Sequence, residues 1–296
     1  FQIQKITIKE GLDGDDICGR APTGSGKTLA FGIPLVVRTK AAKPRKPQSL
    51  ILAPTRELAD QICKELQAFS GKRTVSVVYG GVSYGPQRKA LAKGVDILVA
   101  CPGRLEDLIE QGELTLEDVK QVVIDEADRM ADMGFMPAVK RILDQTSKDR
   151  QTILFSATLD QDVAQLKKHY QHNPVTREIG EKTPDIKNAD HTYAIAKKAD
   201  KPELVAKAIN STWPAIIFCR TRHGADRLVK QLKKLGIESE PIHGGKSQHQ
   251  RKRALKNFST GKVQALVATD VAARGIHVDG VALVVHYDPP EDHKAY

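Results

Sequence analysis

Two short stretches hold the residues best suited to chemistry. Ala21-Pro22-Thr23-Gly24-Ser25-Gly26-Lys27-Thr28 follows the strand-like Asp16–Gly19 and runs into the helix-compatible Leu29–Val37. Small residues there let backbone N–H groups close around phosphate oxygens at a helix N-terminus, whose dipole favours anions. Ala21 stands where the first glycine of this phosphate-binding pattern usually stands. Lys27 would neutralise β- and γ-phosphates, and the Thr28 hydroxyl would ligate Mg²⁺. Ninety-eight residues after Lys27, the apolar Gln121–Ile124 delivers Asp125, Glu126, Ala127 and Asp128. Carboxylates at the end of an apolar strand are costly without a partner, and a magnesium nucleotide is such a partner. Asp125 would hold the metal and Glu126 would orient and deprotonate an attacking water. Together the two stretches indicate a nucleoside triphosphatase.

The elements that must position them are legible as an alternation. β-Branched runs at Ser49–Pro54, Thr74–Tyr79, Asp96–Ala100, Gln121–Ile124 and Thr152–Phe155 each precede a segment of helical period. A second series follows at Ala215–Cys219, Ser239–Ile242, Gln264–Ala268 and Val281–Val285. Such alternation predicts parallel sheets with helices on both faces. Helices are read from apolar spacing, as in Leu58, Ile62, Leu66 and Phe69, or Leu228, Leu232 and Leu235 closed by Gly236. Asn173–Asp190, with Pro174, Pro184 and no apolar period, predicts an interdomain linker, giving domains 1–178 and 191–296 joined by 179–190. Lys40–Gln48, with four cations and two prolines, reads as a solvated loop.

A length of 296 residues favours two domains, and 40% hydrophobic with 28% charged residues excludes a wholly disordered or fibrous chain. No apolar run spans a bilayer, and the first residues show no secretory signal. The four cysteines include no C-x-x-C pair, which disfavours a zinc site or disulfide framework and predicts a reducing, cytoplasmic setting. The net charge of +10 is concentrated late: residues 1–180 hold 26 basic and 23 acidic residues, residues 181–296 hold 20 and 13. A basic balance invites a polyanion.

Further motifs carry a specific resemblance: Pro54-Thr55-Arg56-Glu57-Leu58-Ala59, Gly80-Gly81, Pro102-Gly103-Arg104, Ser156-Ala157-Thr158, Phe218–Thr221, His243-Gly244, Gln248 with Arg251, and Thr269–Gly275. In this order, with Asp-Glu-Ala-Asp at 125–128, the chain resembles the DEAD-box ATP-dependent RNA helicases of superfamily 2 over nearly its whole length. The resemblance implies two tandem RecA-like α/β domains, the second incomplete, that use ATP and Mg²⁺ to unwind RNA duplexes locally and non-processively or to remodel ribonucleoprotein. It implies structured RNA as partner, with ribonucleoprotein components and no membrane. By resemblance Gln4 reads the adenine edge, Gly275 and His277 belong to the nucleotide site, and Asp128, Ser156, Thr158 and Arg274 couple nucleotide state to RNA. RNA contacts carried over are Pro54, Thr55, Arg56, Gly81, Gly103 and Arg104, then Arg220, Thr221, Gly244, Gln248, Arg251, Thr269 and Asp270. Ser156 and Thr158 also read as local caps at a strand end. Lys252, Arg253 and Lys256, beside Arg251, read equally as a solvated face. One Trp, six Tyr and seven Phe leave little for base stacking, so backbone tracking is expected. The rival readings are an ATP-gated, non-catalytic RNA clamp and a DNA-directed helicase of the same superfamily.

The chain departs from the family pattern in places. It stops at Tyr296, before the family's His-Arg-x-Gly-Arg-x-x-Arg, and it begins without the aromatic upstream of Gln4. An arginine finger is worth roughly 10³ to 10⁵ in turnover, so a chain truncated at both ends is expected to bind ATP and RNA but hydrolyse ATP feebly. His277 replaces an aspartate that meets the ATP ribose, which predicts a retained contact that is pH-sensitive near pH ~6–7. Cys101 replaces a threonine, removing a hydroxyl whose bond to RNA would be worth about 1–2 kcal/mol.

Overall fold

Every strand anticipated from its β-branched residues forms, and each joins a parallel ladder. The computed structural model describes residues 1–22, 24–179, 189–269, 278 and 280–290. Of the assigned residues, Thr23, Asp270, Arg274, Gly275 and His277 lie outside them. The chain divides into two compact units, Phe1–Asp185 and Ile186–Tyr296.

In the first unit the strands are β1 Ile17–Arg20, β2 Ser49–Leu52, β3 Val75–Val78, β4 Ile97–Ala100, β5 Gln121–Ile124, β6 Gln151–Ser156 and β7 Val175–Glu178. They lie in the order β3-β4-β2-β5-β6-β1-β7, all parallel. Side chains alternate between two buried faces. Leu50, Leu52, Leu98, Val122, Ile124 and Leu154 meet one cluster, and Ile51, Ile97, Val99, Val123, Ile153 and Phe155 meet the other. That is why these strands read as continuous apolar runs and not as alternating ones. One face is covered by α1 Gln2–Asp13, α2 Lys27–Arg38 and α3 Arg56–Phe69 through Ile3, Phe31, Leu35, Ile62 and Leu66. The other is covered by α4 Tyr84–Lys93, α5 Pro102–Glu110, α7 Met136–Asp144 and α8 Gln161–Tyr170, while the short α6 Ala127–Asp132 adds Met130. Each fully buried Leu, Ile or Phe contributes about 1.5–3 kcal/mol.

Strand β7 falls inside the segment read as linker. Its sequence Val-Thr-Arg-Glu has one apolar residue, because as the outermost strand it pairs with β1 on one side only. Charges dock it instead: Arg20 meets Glu178 at 3.0 Å, and Arg177 meets Glu10 at 2.8 Å and the Ile6 carbonyl at 3.0 Å. The Lys40–Gln48 loop is largely exposed, as its composition suggests, and the exposed Arg45 pairs with Glu113 at 2.6 Å.

The second unit holds β8 Ala215–Cys219, β9 Ser239–Ile242, β10 Ala265–Thr269 and β11 Leu283–His286, ordered β11-β8-β10-β9 and parallel. Helices α9 Lys201–Ser211 and α10 Arg222–Lys234 pack on one cluster, and α11 Gln248–Ser259 packs on another through Ala254 and Phe258. Leu235 leaves the expected stripe: it follows α10 and is 39% exposed, because Gly236 at φ +80° turns the chain there. All four cysteines are free and buried. Among the described residues no helix is long and apolar enough to cross a membrane.

Candidate nucleotide and RNA sites

The phosphate-binding stretch leaves the end of β1 and enters α2. Gly19 in β1 faces the Phe155 ring so closely that a Cβ would lie 2.2 Å from it, which lets the large ring pack beneath the loop against Phe31. Gly24 and Gly26 have φ of +79° and +82°, which a side chain strongly disfavours. The Gln4 amide of α1 donates to the Gly26 carbonyl at 3.1 Å, and a Cβ on Gly26 would meet it at 2.6 Å. Ser25 Oγ donates to the Pro22 carbonyl at 2.7 Å. Lys27 opens α2, buried, its Nζ 3.2 Å from the Ala21 carbonyl and 3.9 Å from Asp125 Oδ1. Thr28 follows it, half-buried.

Asp125 directly follows β5 and is 2% exposed. Burial pushes its carboxyl up to about 6; Lys27 pulls the other way, and Glu126 and Asp128 add to the rise. A carboxylate so desolvated, with one cation at 3.9 Å, fits a site built to receive a divalent cation with a phosphate chain. Glu126 is held at φ +53°, ψ +52°, an uncommon backbone for a residue with a Cβ, and its carboxylate is 2.5 Å from Arg129. Its N–H donates to Asp125 Oδ1 at 3.0 Å.

Ser156, at the end of β6 and fully buried, joins the two loops. Its carbonyl accepts from the Ala21 N–H at 3.1 Å, while its hydroxyl accepts from the Asp128 N–H at 3.1 Å. Asp128 Oδ2 in turn accepts from the Thr158 N–H at 3.0 Å and hydroxyl at 3.3 Å. The Ser156–Thr158 turn is thus hydrogen-bonded to both loops.

The RNA candidates of the first unit are arranged unevenly. Thr55 caps α3, accepting from the Leu58 N–H at 3.3 Å, next to the buried Pro54. Arg56 lies against Gly81, whose added Cβ would fall 2.0 Å from its Nη1 and whose φ is +78°. Gly103 is exposed with open space beside it. Arg104 turns inward at 7% exposure, with both terminal nitrogens 3.2 Å from the Val82 carbonyl. Cys101 is the N-cap of α5 and gives no side-chain cap, so the hydroxyl it lacks is also one that a helix start would use.

The second unit repeats part of this device. Thr221 caps α10, accepting from the Gly224 N–H at 3.0 Å, and Arg222 lies over Gly244, whose Cβ would be 3.0 Å from its Nη2. Sequence reading named Thr221 and Gly244 but missed Arg222; its place after a capping threonine, matching Arg56 after Thr55, was the available signal. His243 is buried, accepts from the Gly245 N–H at 3.1 Å, and lies 3.1 Å from Asp226 without hydrogen-bond alignment. Burial raises the Asp226 carboxyl, but Lys246, at 2.8 Å, and His243 outweigh it and hold it below its ordinary value. Gln248, Arg251 and Thr269 are buried, whereas Lys252, Arg253 and Lys256 are exposed. Arg220 is exposed, its N–H on Asp288 at 2.9 Å.

Two parallel-sheet units, the first with a lysine-bearing phosphate loop beside a strand-end acidic pair, define a RecA-like P-loop protein. Comparison narrows that class. Residues 1–166 match the DEAD/DEAH box helicase model and residues 200–296 match the helicase conserved C-terminal domain. The whole chain is 41% identical to the chloroplastic DEAD-box ATP-dependent RNA helicase 3A of Zea mays, covering 41% of that protein. Over 99% of the chain it is 41% identical to the ATP-dependent RNA helicase RhlB of Pseudomonas putida, covering 77% of it. The S. cerevisiae Dbp5 L327V structure bound to RNA and ADP BeF3 matches 99% of the chain and 76% of that one, at 29% identity and a TM-score of 0.81. The chain belongs to the DEAD-box family of ATP-dependent RNA helicases. It spans from 41% to 57% of the length of the maize, Streptococcus pneumoniae and Arabidopsis thaliana relatives.

Proposed function

We propose that the chain is the catalytic core of an RNA helicase, binding ATP on the first unit and RNA on both, and separating or remodelling RNA locally. The observation that carries this reading is the buried Lys27–Asp125 pair beneath a glycine loop that Ser156 ties to the acidic loop. Lys27 takes the phosphate charge, and the Gln4 amide, already on the loop, faces the base. Mg²⁺, when held by Asp125 and the Thr28 hydroxyl, supplies charge neutralisation on the phosphates. Glu126, fixed by Arg129, orients and deprotonates the attacking water. Asp128, Ser156 and Thr158 carry a change in either loop to the turn they share. Exposed Gly81, Gly103, Gly244 and Arg220, with Arg56 and Arg222, offer backbone and cationic groups to phosphates, which suits sequence-independent recognition. The functional domains are placed at 1–178 and 191–296, joined by 179–190, with ribonucleoprotein components as further partners. Four free buried cysteines suit a reducing compartment such as the cytoplasm.

The test is phosphate release from ATP by the protein carrying this chain, with and without RNA or DNA. RNA stimulation is expected, DNA stimulation is not, and Glu126→Gln is expected to lower release by about 10²–10⁴-fold while leaving RNA affinity intact. Absence of RNA-dependent release would point to the clamp, release insensitive to Glu126→Gln would remove Glu126 as the base, and equal stimulation by DNA would remove RNA specificity.

A further inference from the structure

We infer, resting on the RNA-binding reading above, that Tyr84 positions the Gly80–Val82 loop for RNA by holding Arg104 against the Val82 carbonyl. Arg104 is thereby a clamp on the loop and not a phosphate ligand. The loop joins β3 to α4, and its ends are fixed by the buried Gln87, which accepts from the Tyr79 N–H at 3.1 Å and donates to the Ser83 carbonyl at 3.0 Å. Its middle depends on Arg104. Arg104 is 93% buried, yet its two terminal nitrogens share a single neutral acceptor, and the Asp107 carboxylate lies 3.9 Å from Nε. A buried cation with so little direct compensation needs another partner. The Tyr84 ring supplies it: Arg104 Cζ lies 3.8 Å from the ring centroid. The ring is steered from both sides. Its hydroxyl donates to Asp107 at 3.1 Å, and Arg88, paired with Glu113 at 3.0 Å, lies 5.2 Å from the same centroid. Without the ring, the guanidinium loses its desolvated partner and the Val82 carbonyl loses its anchor. Gly81, positioned by that anchor and by Arg56, is then free to leave the geometry that presents its backbone.

The experiment measures single-stranded RNA affinity at several salt concentrations, with ATP-analogue affinity measured alongside. Tyr84→Leu is expected to weaken RNA binding by roughly 2- to 30-fold, the range of a desolvated cation–π contact, with ATP-analogue affinity and the salt slope unchanged. Tyr84→Phe keeps the ring and should bind within about twofold of the unaltered protein. Arg104→Lys keeps the charge but loses the planar fork and the stack, so it should weaken binding as Tyr84→Leu does. A direct phosphate contact by Arg104 would instead tolerate lysine, and Arg104→Gln would reduce the salt slope by about 0.7. The inference is overturned by that slope change, by lysine rescue, or by a Tyr84→Leu protein that folds and binds RNA normally. If Tyr84→Leu does not fold, the Arg104→Lys and Arg104→Gln outcomes decide. Absence of RNA binding by the unaltered protein would count against the functional reading itself.

Discussion

Lys27→Ala is expected to lower nucleotide affinity by about 100-fold, the equivalent of two charge-assisted hydrogen bonds at about 1.5 kcal/mol each. Lys27 is 92% buried and directed at the space between the Ala21 carbonyl and Asp125. The substitution also has a signature in the ligand-free protein. Burial already raises the Asp125 carboxyl, and Lys27, together with the Glu126 N–H, restrains that rise. Because the folded value lies above the ordinary 3.8, the stability associated with neutral Asp125 is fully present below that pH and is lost as pH rises through the folded value. Removing Lys27 raises the folded value further, so the loss extends to higher pH. Melting curves from pH ~4 to ~8 should therefore fall more steeply in Lys27→Ala than in the unaltered protein. Parallel curves would mean that the two groups do not interact, and undiminished nucleotide affinity would remove Lys27 from the site.

Asp125→Asn separates stability from function at one residue. A shift from 3.8 to about 6 corresponds to roughly 3 kcal/mol of unfavourable ionisation in the fold. Asparagine has nearly the same shape, can still accept from the Glu126 N–H, and carries no charge. At pH ~8 it should stabilise the first unit by up to that amount, a rise in melting temperature of several degrees, and the gain should vanish below pH ~4. Binding of ATP with Mg²⁺ should fall in the same variant, because a neutral amide is a poor partner for a hard cation. A variant both more stable and less competent is the mark of a strained functional carboxylate. Equal melting at pH ~8 would show that the Asp125 charge is compensated by something other than a ligand.

The strand and helix alternation was readable because both faces of each sheet are covered, so runs such as Leu50–Leu52 and Val122–Ile124 are apolar throughout. The phosphate loop and acidic tetrad were readable because their chemistry demands particular residue types in unbroken order. Where burial makes fewer demands, the pattern was silent. Strand β7 has one neighbour and docks through Arg177 and Arg20, so its polar residues read as linker. Side-chain direction was the other blind spot. A motif arginine looks like a phosphate ligand wherever it occurs, yet Arg104 turns into the protein and Arg222, outside the motif reading, takes the place over Gly244. Tyr84 belongs to no motif, and its partners Arg104 and Asp107 come from α5, a different helix.

If the chain works as proposed, it binds ATP and RNA together and each ligand favours the other. The direct measurement is RNA affinity with and without a saturating, non-hydrolysable ATP analogue and Mg²⁺. Coupled sites in proteins typically differ by about 5- to 150-fold, and a tightening within that range is predicted, lost in Lys27→Ala. RNA affinity unchanged by the analogue, in a protein that demonstrably binds both, would show that the two sites are not coupled.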